Sequence, residues 1–132
     1  MFTLLLAGSL IGAPVPKALQ KYPPDAERML GAWEITVNEA NGQVKPETKP
    51  TIWTFTEGSM HSSSGNTNWK IKLDPTQSPK HIDIGDYQGV YEFDGVKLTI
   101  VYAAGGQRPT EVRSGPKNYT SVMVKAKEQP GK

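Results

Sequence analysis

Cysteine is absent from the 132 residues of this chain. Its absence excludes disulfide bonds, thiolate nucleophiles and thiolate metal ligands, and leaves the redox compartment open. An excess of charge of either sign is missing too, because 15 basic and 13 acidic residues leave a formal net charge of +2. Nucleic-acid-binding proteins need a strongly basic surface, so this balance argues against a nucleic-acid partner.

Long helical patterns are missing as well. The chain is rich instead in Gly (13) and Pro (11), which with 36% hydrophobic residues favours a turn-rich all-β domain. A chain of this length has room for one domain with one hydrophobic core. Apolar and polar residues alternate along about eight short segments joined by turn sequences. We therefore predict a closed antiparallel up-and-down β-barrel of about eight strands, with a β-sandwich as the alternative.

The first 24 residues differ from the rest. Residues 1–13 are apolar and uncharged and lead into Pro14, a pattern typical of a secretory signal peptide, although no Lys or Arg precedes the apolar run. The run is too short to span a bilayer, which takes about 20 apolar residues. Residues 14–24 are typical of a proline-rich linker. We expect export to the periplasm or beyond, with a barrel domain over residues 25–128; the alternative is an N-terminal strand or helix packed on the domain.

Local signals mark individual elements of that domain. We expect Asp25 to cap a one-turn helix that ends near Leu30, and Trp33 on the first strand to be the largest single anchor of the core. Residues 41–50 read as a polar loop. Asp94-Gly95, between two alternating apolar runs, is the clearest β-hairpin signal.

The central stretch shows the alternation most clearly. Apolar residues alternate with lysines from Trp69 to Leu73, Asp74-Pro75 then ends the strand, and a second alternating strand follows Pro79. Proline cannot donate to a strand ladder, and aspartate readily accepts a bond from its own backbone two residues on. The chain is therefore predicted to turn here.

Several short motifs resemble a known family. They are Leu30-Gly31-Ala32-Trp33, Leu73-Asp74-Pro75-Thr76, Pro79 to Ile84, Gly89 to Gly95, Leu98 to Ile100 and Arg108 to Val112. Together they resemble a lipocalin-like domain of unknown function that is abundant in planctomycete bacteria, over residues 30–127. The resemblance implies a barrel behind a signal peptide, and no activity is established for the family.

Polar residues within these motifs are candidates for the rim of the barrel. They are Asp74, Lys80, Asp83, Arg108 and Glu111. We expect Arg108 and Glu111 to pair with each other or with Asp74 and Lys80, and so to fix loops at one rim. Gly105-Gly106 could cradle a phosphate through backbone N–H groups, but no helix follows to strengthen such a site.

The resemblance also implies that Trp33 plugs the closed end of the barrel. In lipocalin-like barrels an arginine of the last strand stacks on that tryptophan, whereas here only Lys125 or Lys127 is available. An ammonium group over an indole is favourable by roughly 0.5–2 kcal/mol. We therefore predict a contact between one of these lysines and Trp33. Val101 stands where similar sequences often have cysteine, so no thiol chemistry carries over.

The sequence contains little that indicates a metal site or a catalytic site. His81 and Asp83 lie two residues apart on one strand face, where with Asp86 or His61 they would offer metal ligands, but the spacing fixes no third ligand. No Gly-x-Ser-x-Gly motif occurs, and the stretch from His61 to Gly65 is better explained as a loop. We expect no metal, no cofactor and no enzymatic activity.

The aromatic residues carry the functional prediction. An eight-stranded barrel has an interior that side chains can just fill or that can hold one small ligand. The candidate lining residues are Trp53, Phe55, Trp69, Tyr91 and Tyr102. We predict an exported, non-enzymatic barrel that binds a small apolar molecule. The alternative is a filled barrel that contacts an exported protein or a polysaccharide through rim loops 41–50 and 105–116, and an enzyme comes third.

Overall fold

The structure is a computed structural model, and it describes residues 24–45, 49–103, 105 and 107–126. The elements in chain order are α1 (Asp25–Met29), β1 (Gly31–Ala40), β2 (Gln43–Val44), β3 (Ile52–Thr56), β4 (Ser59–Ser62), β5 (Thr67–Asp74), β6 (Lys80–Ile84), β7 (Tyr87–Asp94), β8 (Lys97–Ala103) and β9 (Asn118–Lys125). The predicted signal-peptide segment and residues 14–23 of the linker lie outside the described residues. No helix of the described part is long and apolar enough to cross a membrane.

The strands close into an eight-stranded antiparallel barrel with one additional strand. Their order is β2-β1-β3-β4-β5-β6-β7-β8-β9, and β1 also pairs with β9. β1 makes this closure because residues 31–34 pair with β3, while its other edge pairs with β9 from Trp33 to Ala40. The predicted all-β up-and-down barrel with a short N-terminal helix is confirmed, and the sandwich alternative is wrong.

The barrel interior forms a single core. Alternation along the strands turns every second side chain inward, as the sequence pattern predicts. The buried core cluster consists of Met29, Trp33, Ile35, Trp53, Phe55, Met60, Ile82, Ile84, Tyr91, Leu98, Ile100 and Met123. Because neighbouring strands run antiparallel, the β3–β4, β5–β6 and β7–β8 turns lie at one end with α1. The β4–β5, β6–β7 and β8–β9 connections lie at the other end, called the open end below.

Trp33 and Lys125 close the end that carries α1. The indole Nε1 of Trp33 donates to the carbonyl oxygen of Met29 at 2.7 Å, and Lys125 Nζ lies 4.8 Å from the Trp33 ring centroid. The same ammonium group donates to the carbonyl oxygen of Leu30. Gly31 has a φ of 109°, and a Cβ there would lie 2.8 Å from Lys125 Nζ, so glycine leaves the lysine room. The predicted ammonium–indole contact is therefore present at Lys125, while Lys127 lies outside the described residues.

Asp25 does not cap α1, which corrects the expectation from the sequence. The N-cap residue is Pro24, and no side chain makes a capping bond. Asp25 stands one position later and faces the barrel, where its carboxylate accepts from the Tyr91 hydroxyl at 2.7 Å and from Lys80 Nζ at 2.9 Å. These two contacts tie the helix to β6 and β7.

Arg28 ties the end of the same helix to the barrel. Its guanidinium lies 4.2 Å from the Phe93 ring centroid and donates to the carbonyl oxygen of Gly95 at 2.8 Å. Gly95 belongs to the predicted Asp94-Gly95 turn, which does join β7 to β8 as a hairpin. The helix therefore rests on a turn that the sequence identifies by its dipeptide.

The predicted polar loop over residues 41–50 begins with a hairpin instead. Asn41 and Gly42 have φ values of 54° and 81°, so they form a two-residue turn, and β2 pairs back onto the end of β1. Asn41 Oδ1 accepts from the backbone N–H of Lys117 at 2.9 Å, which joins this turn to the start of β9. The loop prediction overlooked that Asn-Gly is a strong hairpin signal even between polar residues.

Candidate functional site

The open end of the barrel contains a cavity of about 210 Å³, which we call the open-end cavity. It is lined by the apolar residues Ile35, Trp53, Met60, Trp69 and Ile84, and by the tyrosines Tyr87 and Tyr102. Its polar lining consists of Asn38, Thr51, Ser62, Ser64, Thr67 and Ser121. These residues come from nearly every strand of the barrel, so the cavity exists only because the sheet closes.

Four aromatic side chains, Trp53, Trp69, Tyr87 and Tyr102, form a continuous aromatic wall. Ring centroids lie 5.6 Å apart for Trp69 and Tyr87, 5.7 Å for Tyr87 and Tyr102, and 6.3 Å for Tyr102 and Trp53. Tyr119 continues the series at 5.3 Å from Tyr102. These separations are typical of favourable aromatic pairs.

Hydroxyl groups face the aromatic wall from the β4–β5 turn and from β9. Ser62 Oγ accepts from the backbone N–H of Ser64 at 3.2 Å, which leaves the Ser62 proton to be donated elsewhere. Thr67 Oγ1 donates to the carbonyl oxygen of Gly65 at 3.1 Å and keeps lone pairs to accept with. Ser121, on β9, is almost fully buried beside the cavity. The cavity therefore offers both aromatic side chains and hydrogen-bonding groups.

No charged side chain lines the open-end cavity in the part of the chain that the structure describes. Burial, followed by the proximity of Tyr119 and Tyr87, raises the pKa of Tyr102 to about 12. Its hydroxyl thus stays protonated at neutral pH and can donate. An ion would find no compensating charge in this cavity, so an uncharged ligand fits it better.

The structure brings three of the five predicted lining residues together. Trp53, Trp69 and Tyr102 belong to the aromatic wall. Phe55 lies two residues nearer the closed end and is part of the core, and Tyr91 lies near the closed end with its hydroxyl on Asp25. Alternation identifies which side chains face inward, but the depth of each inside the barrel depends on strand register, which the sequence does not show.

Tyr87 and the hydroxyl residues of the cavity were missed by the sequence analysis. Tyr87 shares its face of β7 with Gly89 and Tyr91, so parity could have found it. Ser62 shares its face of β4 with Met60, and Ser121 shares its face of β9 with Met123, so parity places both inward as well. Their small, polar side chains gave no separate signal of a cavity.

A second pocket, of about 280 Å³, lies beneath α1 at the closed end. Met29, Leu30, Phe55, Ile71 and Leu73 contribute most of its apolar lining. Phe55 is its only aromatic residue among those described, and α1 covers it. The open-end cavity, which is reached from the loop end and combines rings with hydroxyl groups, is the better candidate site.

The motif polar residues do not meet at one rim, so the pairing expected for Arg108 and Glu111 is wrong. Arg108 bonds the Asp83 carboxylate at 2.7 Å and donates to the carbonyl oxygens of Gly89 and Ile82 at 2.8 and 3.2 Å. Glu111 pairs instead with exposed Arg113 at 2.9 Å. Arg108 and Glu111 are close in sequence, which suggested that they would pair with each other. The β8–β9 connection instead places Arg108 against the outside of β6 and β7.

The outer face that Arg108 reaches is itself buried. Val90 and Val101 pair across β7 and β8 and point away from the core, and yet neither is exposed to solvent. Arg108 places the β8–β9 connection on this side of the barrel. Arg108 therefore lies beside this apolar patch.

Lys80 and Asp74 each have other partners. Lys80 bonds Asp25, as described above. Asp74 accepts from the Thr76 hydroxyl at 2.6 Å, from the Gln77 amide at 3.0 Å and from the Thr76 backbone N–H at 3.2 Å. These bonds, the Thr76 hydroxyl first, hold the pKa of Asp74 below its ordinary value. Asp74 therefore shapes the β5–β6 turn, as its self-bonding tendency predicts.

No group of three or more His, Cys, Asp or Glu side chains suited to a metal ion occurs among residues 24–45, 49–103, 105 and 107–126. His61 Nδ1 instead lies 3.0 Å from Asn68 Oδ1 on the neighbouring strand, and Asp83 is engaged by Arg108. The ligand combinations considered from the sequence are not assembled by the fold.

Comparisons of the chain with family models, with curated proteins and with solved structures find no match. The resemblance to a lipocalin-like planctomycete domain therefore stays a prediction that rests on the motifs alone. The site is interpreted below from its own geometry.

Proposed function

We propose that this protein is a non-enzymatic binding protein that takes one small, uncharged molecule into its open-end cavity. The observation that carries the proposal is an aromatic wall inside a closed barrel, at the end away from α1. A concave site with apolar walls and a few hydrogen-bonding groups is the usual form of a small-molecule site. The lining offers no carboxylate, imidazole or amine among the described residues, which supports binding over acid–base catalysis.

The volume of the cavity limits the size of the ligand. At about 210 Å³ it is larger than the roughly 150 Å³ cavity that accepts benzene. It is smaller than the about 300–1,000 Å³ pockets that hold drug-sized ligands. One substituted six-membered ring, or one such ring at the end of a longer molecule, therefore fits.

The three tryptophans provide a built-in test of where a ligand binds. Trp53 and Trp69 belong to the aromatic wall, whereas the indole N–H of Trp33 is bonded to Met29 at the closed end. Benzyl alcohol, cyclohexylmethanol and methyl glucopyranoside would be titrated into nitrogen-labelled protein while the three indole N–H signals are followed. We expect at least one compound to move the Trp53 and Trp69 signals and to leave the Trp33 signal in place.

Ser121→Val supplies the matched control for this titration. The substitution adds methyl groups to the cavity wall at a strand position that tolerates a β-branched residue, so it reduces the cavity and keeps the fold. The ligand-induced shifts should disappear in this variant. If all three compounds leave Trp53 and Trp69 unmoved in the wild type, the proposal fails, and the rim loops become the better candidate for contact with a protein or polysaccharide.

We also propose that the protein is exported and that it is related to the lipocalin-like planctomycete domain. The apolar, uncharged character of residues 1–13 and the proline-rich stretch after them support export. The intact mass of the protein isolated from its own cells should correspond to a chain without residues 1–13. An intact Met1 on that protein would overturn export without affecting the binding proposal.

A further inference from the structure

The lining of the open-end cavity is too polar for a hydrocarbon ligand. Six of its thirteen residues carry a hydroxyl or amide side chain, and the two tyrosines add phenolic hydroxyls. Ser62 and Thr67 already have hydrogen-bond partners within the protein. An apolar ring would still cover the hydroxyl groups of Ser121, Tyr87 and Tyr102 without bonding them, and each buried unsatisfied polar group is costly. The ligand should therefore carry several hydrogen-bonding groups of its own.

The hydroxyl groups also lie on more than one side of the cavity. Ser62 ends β4, Ser64 lies in the β4–β5 turn and Thr67 begins β5, while Ser121 comes from β9. β4 and β9 are separated by four strands in one direction around the barrel and by two in the other. A phenol, with a single hydroxyl, would reach one of these sides only. A ring that carries hydroxyls around its edge would reach both.

We propose that the open-end cavity binds a neutral pyranose ring, either as a free sugar or as the terminal unit of a glycan. The inference rests on the proposed binding function and specifies its ligand class. Axial C–H groups of a pyranose carry partial positive charge and are attracted by the negative face of an aromatic ring. Four aromatic residues, Trp53, Trp69, Tyr87 and Tyr102, line this cavity. The sugar hydroxyls then exchange water for the serine, threonine and tyrosine hydroxyls.

No charged residue lines the cavity among the residues that the structure describes. The cavity should therefore bind neutral sugars more tightly than charged ones. A uronic acid would place its carboxylate in a cavity without a cation, where desolvation is not repaid. A neutral hexose has the same ring and no such cost. The comparison of methyl glucopyranoside with methyl glucuronopyranoside therefore tests the effect of a carboxylate at C6 on the same ring.

The experiment is a titration of the indole N–H signals with ring compounds of three kinds. Methyl glycosides of glucose, galactose, mannose and N-acetylglucosamine are the sugar arm, methyl glucuronopyranoside is the charged arm, and cyclohexylmethanol is the hydrocarbon arm. At least one neutral glycoside should move the Trp53 and Trp69 signals but not the Trp33 signal. Methyl glucuronopyranoside should bind at least about tenfold more weakly than methyl glucopyranoside.

Two variants show whether hydroxyl groups contribute to the binding. Tyr102→Phe keeps the ring and removes one hydroxyl, and Ser121→Ala removes another with little change of volume. Each should weaken glycoside binding about two- to tenfold, the range of one hydrogen bond, and leave cyclohexylmethanol binding equal or tighter. Ser59→Ala, on the outward face of β4, is the matched control and should change neither.

The outcomes separate this inference from the proposed function. If cyclohexylmethanol moves Trp53 and Trp69 and no glycoside does, the pyranose assignment is wrong while the binding function stands. If no compound in any arm moves them, both fail. A trisaccharide that binds more tightly than its methyl glycoside and also shifts backbone amides of residues 41–45 supports the glycan terminus as the source, and equal affinity supports a free sugar.

Discussion

Lys125 is one side chain that holds the closed end of the barrel together. Its ammonium group covers the Trp33 ring and donates to the carbonyl oxygen of Leu30, at the junction between α1 and β1. Gly31 leaves the space that this requires. Lys125 thus joins the last strand to the start of the barrel.

Replacement of Lys125 by Met should therefore destabilise the protein. The methionine keeps an apolar stem over the indole and loses the cation and its hydrogen bond, so we expect the free energy of unfolding to fall by about 1 kcal/mol. Urea denaturation measures the change. Lys97→Met, at an exposed position of β8, is the control and should have a smaller effect. Equal losses in the two variants would show that the Trp33 contact contributes nothing.

Tyr102, in the wall of the cavity, makes the free energy of unfolding depend on pH. Its pKa in the folded protein is about 12, above the ordinary value of 10.0, mainly because of burial. The folded state therefore holds this proton more tightly than the unfolded state, so its contribution is complete below pH 10 and is lost as the pH rises through about 12. Burial raises the pKa of Tyr91 as well, with the hydrogen bond to Asp25 as a second cause.

We expect the free energy of unfolding to decrease as the pH rises from 10 to 12. Tyr102→Phe should make this decrease shallower without abolishing it, because Tyr91 remains. Urea denaturation at several pH values gives the slope, and phenolate absorbance should show one fewer late-titrating tyrosine in the variant. An unchanged slope would mean that Tyr102 ionises normally in the folded protein.

At the scale of elements, the β8–β9 connection is attached to the barrel by one partly buried set of contacts, and it carries a second, exposed ion pair. Arg108 bonds Asp83 and two backbone carbonyl oxygens against the outside of β6 and β7. Arg113 pairs with Glu111, and both side chains are mostly exposed. The two arginines thus provide a matched comparison within a single segment.

Arg108→Ala should lower the free energy of unfolding by about 1–3 kcal/mol, because it leaves a carboxylate and two carbonyl oxygens without their donor. Amide hydrogen exchange over residues 107–117 should become faster, since the segment loses its attachment. Arg113→Ala should change the free energy of unfolding by less than about 0.5 kcal/mol, as is usual for an exposed ion pair. Equal effects of the two substitutions would contradict the role given to Arg108.

The elements also show how far the sequence predicts this protein. Alternation and the Asp94-Gly95 turn predict strands and a hairpin because they depend on neighbours along the chain. Asp25 bonds residues 55 and 66 positions away, and Arg108 bonds residues 19 to 26 positions away. Only the folded topology brings these partners close. Parity therefore identified Trp53, Trp69 and Tyr102 as inward residues, but it could not separate them from Phe55 and Tyr91, which lie nearer the closed end.

For the whole molecule, closure of the sheet contributes to stability and also forms the open-end cavity. β1 pairs with β3 and β9 and so removes the edges that an open eight-stranded sheet would expose. The same closure brings Trp53 of β3, Trp69 of β5, Tyr87 of β7 and Tyr102 of β8 around one cavity. α1, Trp33 and Lys125 close one end, and the aromatic wall lies at the other.

Native mass spectrometry of the protein purified from its own host, without detergent or organic solvent, tests the central claim most directly. We expect the folded wild-type protein to carry a reproducible excess mass that is lost on unfolding. Ser121→Val, purified in the same way, should show the mass of the bare chain. The same excess in both proteins, or a bare mass in both, would contradict the account that the open-end cavity is a binding site.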